Sequence, residues 1–298
     1  LDRTNSKIVQ VAKRYQKESV VVSGKMRIIS LSATATEWIF KIGAASDLVS
    51  FTGYPGCTHI PEVTISGVGT ADLCSGAVDP HPPGFVEDLL EKSPDVIFLD
   101  DHAESVSDLE DLVKRSGAAL YRVKSRTFKQ ILDAGLTVGK GIGRFQDAAQ
   151  FIAASERKLS GILNHLGIHK GIPDSERRKV LFLRSLEPPV VAGCWIPDLI
   201  EMAGALPVIV PPGAPSREVS WQDVSAAGPD LIVAACPEET RRQFDQIKTS
   251  ETPSSLSERF VILEESLPYY TPGPKLYEAM KAILFSLHPD KLRGMESL

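Results

Sequence analysis

Residues 144–166 read RFQDAAQFIAASERKLSGILNHL. Apolar or small side chains fall at Phe145, Ala149, Ile152, Leu159, Leu163 and Leu166, in alternating steps of three and four broken only at Glu156. That spacing lines one face of an α-helix, and no Gly or Pro interrupts it before Gly161. It predicts one helix of about 23 residues, roughly 35 Å long at ~1.5 Å per residue. A helix of this length in mid-chain is a strut between two lobes, where a Gly/Ser linker would let them wander.

On its amino-terminal side, Arg27-Ile-Ile-Ser-Leu-Ser is a short β-branched run followed by Ala33-Thr-Ala-Thr and an amphipathic segment from Glu37 to Ile42. This reads as strand, loop and helix, with Thr34 or Thr36 as N-cap and Gly43 closing the helix. Strands are expected at 48–51, 96–99 and 119–123, and helices at 85–92 and 108–116. Gly139-Lys-Gly-Ile-Gly143 lacks the order and setting of a phosphate loop and reads as a break between helices.

On its carboxyl-terminal side the same plan returns. Phe85-Val-Glu-Asp-Leu-Leu-Glu-Lys-Ser-Pro-Asp-Val-Ile-Phe is echoed by Ser220-Trp-Gln-Asp-Val-Ser-Ala-Ala-Gly-Pro-Asp-Leu-Ile-Val, each a helix, a Pro-Asp turn and an apolar strand. The expected fold is therefore α/β: two similar lobes with mainly parallel sheets joined by one long interdomain helix. The boundaries read as an amino-terminal extension at 1–25, a lobe at 26–143, the linking helix at 144–166 and a second lobe at 167–298.

Composition narrows the function. The chain has 298 residues, enough for two cores without disulfides, and its formal net charge of −5 argues against a general nucleic-acid or anionic-membrane surface. Cys57, Cys74, Cys194 and Cys236 form no CxxC pair, so free thiols are expected. No apolar run reaches the ~20 residues of a membrane span. No secretory signal is visible within the chain, which reads as cytoplasmic on that basis, or as periplasmic or extracellular if a signal was removed before Leu1. GxSxG and HExxH are absent, which leaves an enzyme with little support.

Three stretches resemble a known family. Arg27-Ile-Ile-Ser-Leu-Ser-Ala-Thr-Ala-Thr-Glu-Trp is similar to the opening text R-I-V-S-L-x-P-S-x-T-E of helical-backbone (class III) ABC-transporter substrate-binding proteins of the cobalamin-binding branch. Pro188-Pro-Val-Val-Ala-Gly-Cys-Trp-Ile-Pro-Asp-Leu-Ile-Glu-Met-Ala-Gly resembles P-P-F-V-A-G-H-W-V-P-E-M-I-E-L-A-G, and Tyr269-Tyr-Thr-Pro-Gly-Pro-Lys-Leu resembles Y-F-x-R-P-G-P-R-L. Ala33 stands where Pro is usual, Cys194 where His is usual and Thr271 where Arg is usual. Each departure changes polarity or shape at the expected cleft.

The resemblance implies a non-enzymatic protein, expected to be a monomer, that holds a corrinoid between its lobes for an ABC importer, with no covalent cofactor. Alternatives are a cytoplasmic corrinoid carrier or sensor with the same fold, or a protein that binds haem, an iron-siderophore or a metal.

In an open α/β lobe, ligands sit outside the carboxyl ends of the parallel strands. That rule selects the loops 32–36, 54–59, 100–104, 194–195, 236–237 and 269–270. The expected ligand-binding residues are Ser32, Ala33, Thr34, Tyr54, Cys57, His102, Cys194, Trp195, Tyr269 and Tyr270, the aromatic ones supplying walls for a flat macrocycle. For Trp195 the competing reading is core packing against the following helix. Of Tyr269 and Tyr270, one is expected to pack inward. His59, His102 and Cys57 have side chains suited to metals, but a loop histidine is more often simply exposed, and no metal site is assigned. Asp100-Asp101-His102 reads as a polar loop with Asp101 capping a turn, in preference to an acid/base cluster.

The family docks on its permease through one acid on each lobe, in the helix before the Pro-Asp turn. The matching positions are Glu87 and Gln222, with Asp223 as the neighbouring acid.

Overall fold

The computed structural model describes residues 25–52, 65–66, 85–101, 113–168, 172–235, 260–263, 269 and 271–292. These fall into two compact units. The first holds the described residues up to Ser125, Lys129–Arg157 and Thr271–Pro274; the second holds Arg126–Phe128 and the described residues of 158–270 and from Lys275 onward. Among the described residues, no helix is long and apolar enough to cross a membrane.

The first unit is built on strands β1 (Ile28–Leu31), β2 (Leu48–Thr52), β3 (Ile65–Ser66), β4 (Val96–Asp100) and β5 (Ala119–Val123). They form one sheet in the order β3-β2-β1-β4-β5, every pair parallel. A parallel sheet is covered on both faces, which is why β1 and β4 are almost wholly apolar. Alternation along β1 sends Ile28 into a core with Trp38, Phe51, Phe98, Val138 and Ile152, and sends Ile29 and Leu31 to the other face with Leu89, Ile97 and Leu99.

Helices α1 (Ala33–Lys41), α2 (Phe85–Glu91), α3 (Phe128–Gly141) and α4 (Phe145–Leu166) follow in chain order. The break between α3 and α4 lies at 142–144, where the Arg144 N–H donates to the Gly139 carbonyl at 2.7 Å. Helix α4, 22 residues long, is close to the predicted length, and its residues up to Arg157 fall in the first unit and those from Lys158 in the second. Trp38 is fully buried, and its indole N–H donates to the Ile131 carbonyl at 3.0 Å. Only a glycine at 135 allows this, because a Cβ there would lie 2.5 Å from the Trp38 ring.

The start of α1 corrects the sequence reading. The N-cap is Ser32, not Thr34 or Thr36, and the helix begins four residues earlier than Glu37, at Ala33. Ser32 keeps the extended backbone of the strand it ends (φ −132°, ψ 122°) while its Oγ accepts from the Ala35 N–H at 3.1 Å. Strand thus passes into helix with no loop. Thr36 turns inward instead, its Oγ1 2.8 Å from Ser30 Oγ and 2.9 Å from the Ser32 carbonyl oxygen.

The second unit repeats the plan with an insertion. Strands β6 (Lys179–Leu186), β7 (Pro189–Val191), β8 (Leu206–Pro207), β9 (Arg217–Glu218), β10 (Leu231–Ala235) and β11 (Phe260–Leu263) form one sheet, β11-β10-β6-β7-β9, with β8 also pairing β6. β10 and β11 run parallel to β6, whereas β7 folds back antiparallel along it. Helices α5 (Ile196–Met202), α6 (Trp221–Ala227) and α7 (Leu276–Leu287) complete the unit.

The duplicated Pro-Asp turn has one structural meaning in both units. The Arg27 N–H donates to Asp95 Oδ2 at 2.7 Å, and the Lys179 N–H donates to Asp230 Oδ2 at 2.8 Å. Each aspartate therefore ties the amide just before or at the start of the central strand to the strand beside it. This satisfies a donor at the sheet margin that would otherwise need water.

Helix α6 carries a complete capping box: the Asp223 N–H donates to Ser220 Oγ at 3.1 Å, and the Ser220 N–H donates to Asp223 Oδ2 at 2.9 Å. Ser220→Ala is expected to lower the melting temperature by about 2–4 °C, read by circular dichroism, the range for losing one cap in a unit of this size. An unchanged melting temperature would show that the box adds nothing.

Candidate functional site

In the first unit the carboxyl ends of β1, β4 and β5 converge on the amino terminus of α1. Ser32 Oγ donates to Asp100 Oδ1 at 2.6 Å, joining residues that are far apart in sequence but end adjacent parallel strands. Burial of the Asp100 carboxyl pushes its pKa up to about 7, against the smaller lowering effect of the Ser32 hydrogen bond. Beside it, the Asp101 N–H donates to the Val123 carbonyl at 2.9 Å, and the Asp101 carboxylate pairs with Lys124 Nζ at 3.4 Å. Thr34 Oγ1 and Ser125 Oγ are buried and have no hydrogen-bond partner among the described residues.

The stretch Thr271–Pro274 belongs to this same unit. Gly273 packs so closely on α1 that a Cβ would lie 2.8 Å from Glu37 Cβ. The Pro-Gly-Pro text near the carboxyl terminus is thereby explained as a close backbone approach to the helix that follows Ser32.

Of the expected ligand residues, Ser32, Ala33 and Thr34 stand at this edge, with Ala33 partly exposed and the other two fully buried. Tyr54, Cys57, His59, His102, Cys236 and Tyr270 lie outside the described residues. Tyr269 packs inward, 4% exposed, with its ring centroid 5.2 Å from that of Phe182.

Cys194 and Trp195 do not lie at the carboxyl end of β6, and the reason is the antiparallel return of β7. The Ala192 N–H donates to the Phe182 carbonyl at 2.8 Å, so the chain leaves the sheet beside the middle of β6. Trp195 is 0% exposed, the packing alternative considered for it, and its Nε1 has no partner among the described residues. Cys194 is buried, in no disulfide and at φ 54°, clasped by the loop that follows β8: its N–H donates to the Ala214 carbonyl at 2.6 Å and its carbonyl accepts from the Gly213 N–H at 2.9 Å. The neighbouring Asp198 accepts the Phe128 N–H at 2.8 Å, and burial raises its pKa.

Glu87 is exposed in the first turn of α2, and Gln222 is exposed in the first turn of α6. The Asp223 carboxylate is held below its usual range by its hydrogen bonds to the Ser220 hydroxyl and N–H. Among the described residues, no three His, Cys, Asp or Glu side chains group to hold a metal.

The Ser32–Asp100 bond and the Gly273–Glu37 approach escaped the sequence reading. An acid ending the wholly apolar run 96–99 was the visible signal of the first, and the Pro-Gly-Pro text at 272–274 that of the second.

No family model matches the sequence, and no curated protein matches it. Solved structures do match. The chain carries the fold of the two-lobed class III substrate-binding proteins of ABC transporters. A periplasmic vitamin B12 binding protein of Vibrio cholerae has a TM-score of 0.64 at 18% identity, covering 88% of this chain and 96% of its own. An ABC transporter substrate-binding protein from Listeria monocytogenes has 0.65 at 17%, with 90% and 100% covered. A periplasmic heme-binding protein from Roseiflexus sp. RS-1 has 0.61 at 19%, again with 90% and 100%.

Proposed function

We propose that this chain is a substrate-binding protein that captures a corrinoid and hands it to an ABC importer. The observation that carries the role is the fold, which solved binding proteins for vitamin B12 and for heme match along nearly their whole length. The preference for a corrinoid rests on the three motifs at 27–38, 188–204 and 269–276, which follow the cobalamin-binding text in order. In this reading the lobes are 26–143 and 167–298, with 144–166 as the linking helix. The ligand contacts Ser32, Ala33 and Thr34 together with the loops that hold Tyr54, Cys57, His102 and Tyr270.

Docking falls to Glu87 and to the start of α6, and an exposed charge there would set orientation and on-rate more than affinity. The role places the protein in the periplasm or outside the cell. A second reading, a corrinoid carrier or sensor without a permease, is favoured by one observation: Gln222 is neutral and Asp223 is engaged in the cap of its own helix.

Calorimetric titration of the purified chain with cyanocobalamin and cobinamide, with haem alongside, tests the ligand. Sub-micromolar corrinoid binding is expected. A folded protein that binds neither corrinoid would overturn the reading and redirect the search to haem, chelated iron and metals.

A further inference from the structure

Asp100 takes its one hydrogen bond among the described residues from Ser32 Oγ, at 2.6 Å. That serine is already committed as the cap of α1, accepting from the Ala35 N–H. Oδ2 of Asp100 is thus left as an acceptor at the edge where ligands of open α/β lobes sit. The two buried hydroxyls at the same edge, Thr34 Oγ1 and Ser125 Oγ, are unpartnered among the described residues, and a hydroxyl can donate or accept as a ligand requires. Asp100 is different, because an ionised carboxylate only accepts.

The ionisable groups on the elements around it are Glu37 and Lys41 on α1, Tyr121 and Arg122 on β5, and the Asp101–Lys124 pair beyond the strand ends. Strand β1 has none. Asp100 is ion-paired with none of these groups, Ser32 being its one partner among the described residues, and a ligand carboxylate placed there would meet like charge in a desolvated setting.

We infer that the Ser32–Asp100 couple is a specificity element, accepting ligand carboxamide N–H groups and excluding ligands that present carboxylates to this edge. It rests on the substrate-binding reading and adds a basis for choosing an amide-bearing corrinoid over haem with its propionates. Burial puts the titration of Asp100 near neutrality, at about 7. The exclusion is accordingly strong above that pH and relaxed below it, where the protonated acid can donate to a carboxylate.

The test is calorimetry at pH 6.0 and pH 8.5 with cobinamide and haem, on the wild type, Asp100→Asn and Asp100→Ser, each shown folded by circular dichroism. Haem binding is expected to weaken about tenfold or more from the lower to the higher pH, cobinamide binding to change less than about threefold, and Asn or Ser to abolish the haem dependence. If wild type binds no haem at either pH, both variants must gain it. Cobinamide binding with a haem response that is flat, or equally steep in the variants, overturns the inference alone. Absence of cobinamide binding by the folded wild type at both pH values overturns the substrate reading and the inference with it.

Discussion

Gly193→Ala is expected to destabilise the second unit by roughly 3 kcal/mol or more, the range of severe overpacking against a backbone that cannot give way. A Cβ at this position would lie 2.3 Å from the Ala214 carbonyl oxygen and 2.5 Å from the Pro215 carbonyl carbon. Both are backbone atoms, so no rotamer change relieves the clash. The loop cannot simply retreat, because it is held by the two hydrogen bonds to Cys194 and by the Gly193 N–H donating to Ser216 Oγ at 3.1 Å. Urea unfolding followed by tryptophan fluorescence reads the loss, since Trp195 and Trp221 are both buried in this unit. A midpoint within error of wild type would show that the 213–216 loop does not sit on the glycine.

Asp100→Asn should act in the opposite direction, with a gain that appears above pH 3.8 and is full above about 7. The folded-state pKa of Asp100 lies above its ordinary value, at about 7 against 3.8. Below the lower value both states are protonated and the substitution changes nothing through this group. As pH rises between the two values, the unfolded chain ionises freely while the folded chain resists, so stability falls and then levels off above the folded value. The neutral amide removes that penalty while keeping an oxygen for the Ser32 hydroxyl.

At ~1.36 kcal/mol per pKa unit the full shift sets a ceiling of about 4 kcal/mol. Partial exposure of the residue brings the expected gain at pH 8 to roughly 1–3 kcal/mol. The check is thermal unfolding of both proteins from pH 4 to pH 9: a difference that grows with pH supports the argument, and parallel curves would sink it.

These two residues differ in how legible they are. Gly193 stands in the motif Pro-Val-Val-Ala-Gly-Cys-Trp, but nothing in that text says what it touches, which is a loop some twenty residues later. Asp100 reads as the start of a polar loop after the apolar strand 96–99, whereas it ends that strand and meets Ser32 at the end of another. Trp195 shows the limit most plainly. The rule that ligands sit at strand carboxyl ends pointed to it, and the antiparallel return of β7, a three-residue strand, carried it into the core.

By itself the sequence determined the α/β class, the repeated lobe plan, the 22-residue helix α4 and the Pro-Asp turns. All of these follow from local periodicity, from apolar runs that only a covered parallel sheet can use, and from turn chemistry. Tertiary structure alone decided that Ser32 caps α1 and meets Asp100, that Thr271–Pro274 lies with the first unit against Glu37, and that Cys194 and Trp195 are interior. Those outcomes depend on which strands become neighbours and on the direction in which each runs. That choice is made by the summed burial of whole sheets, and no short window of residues contains it.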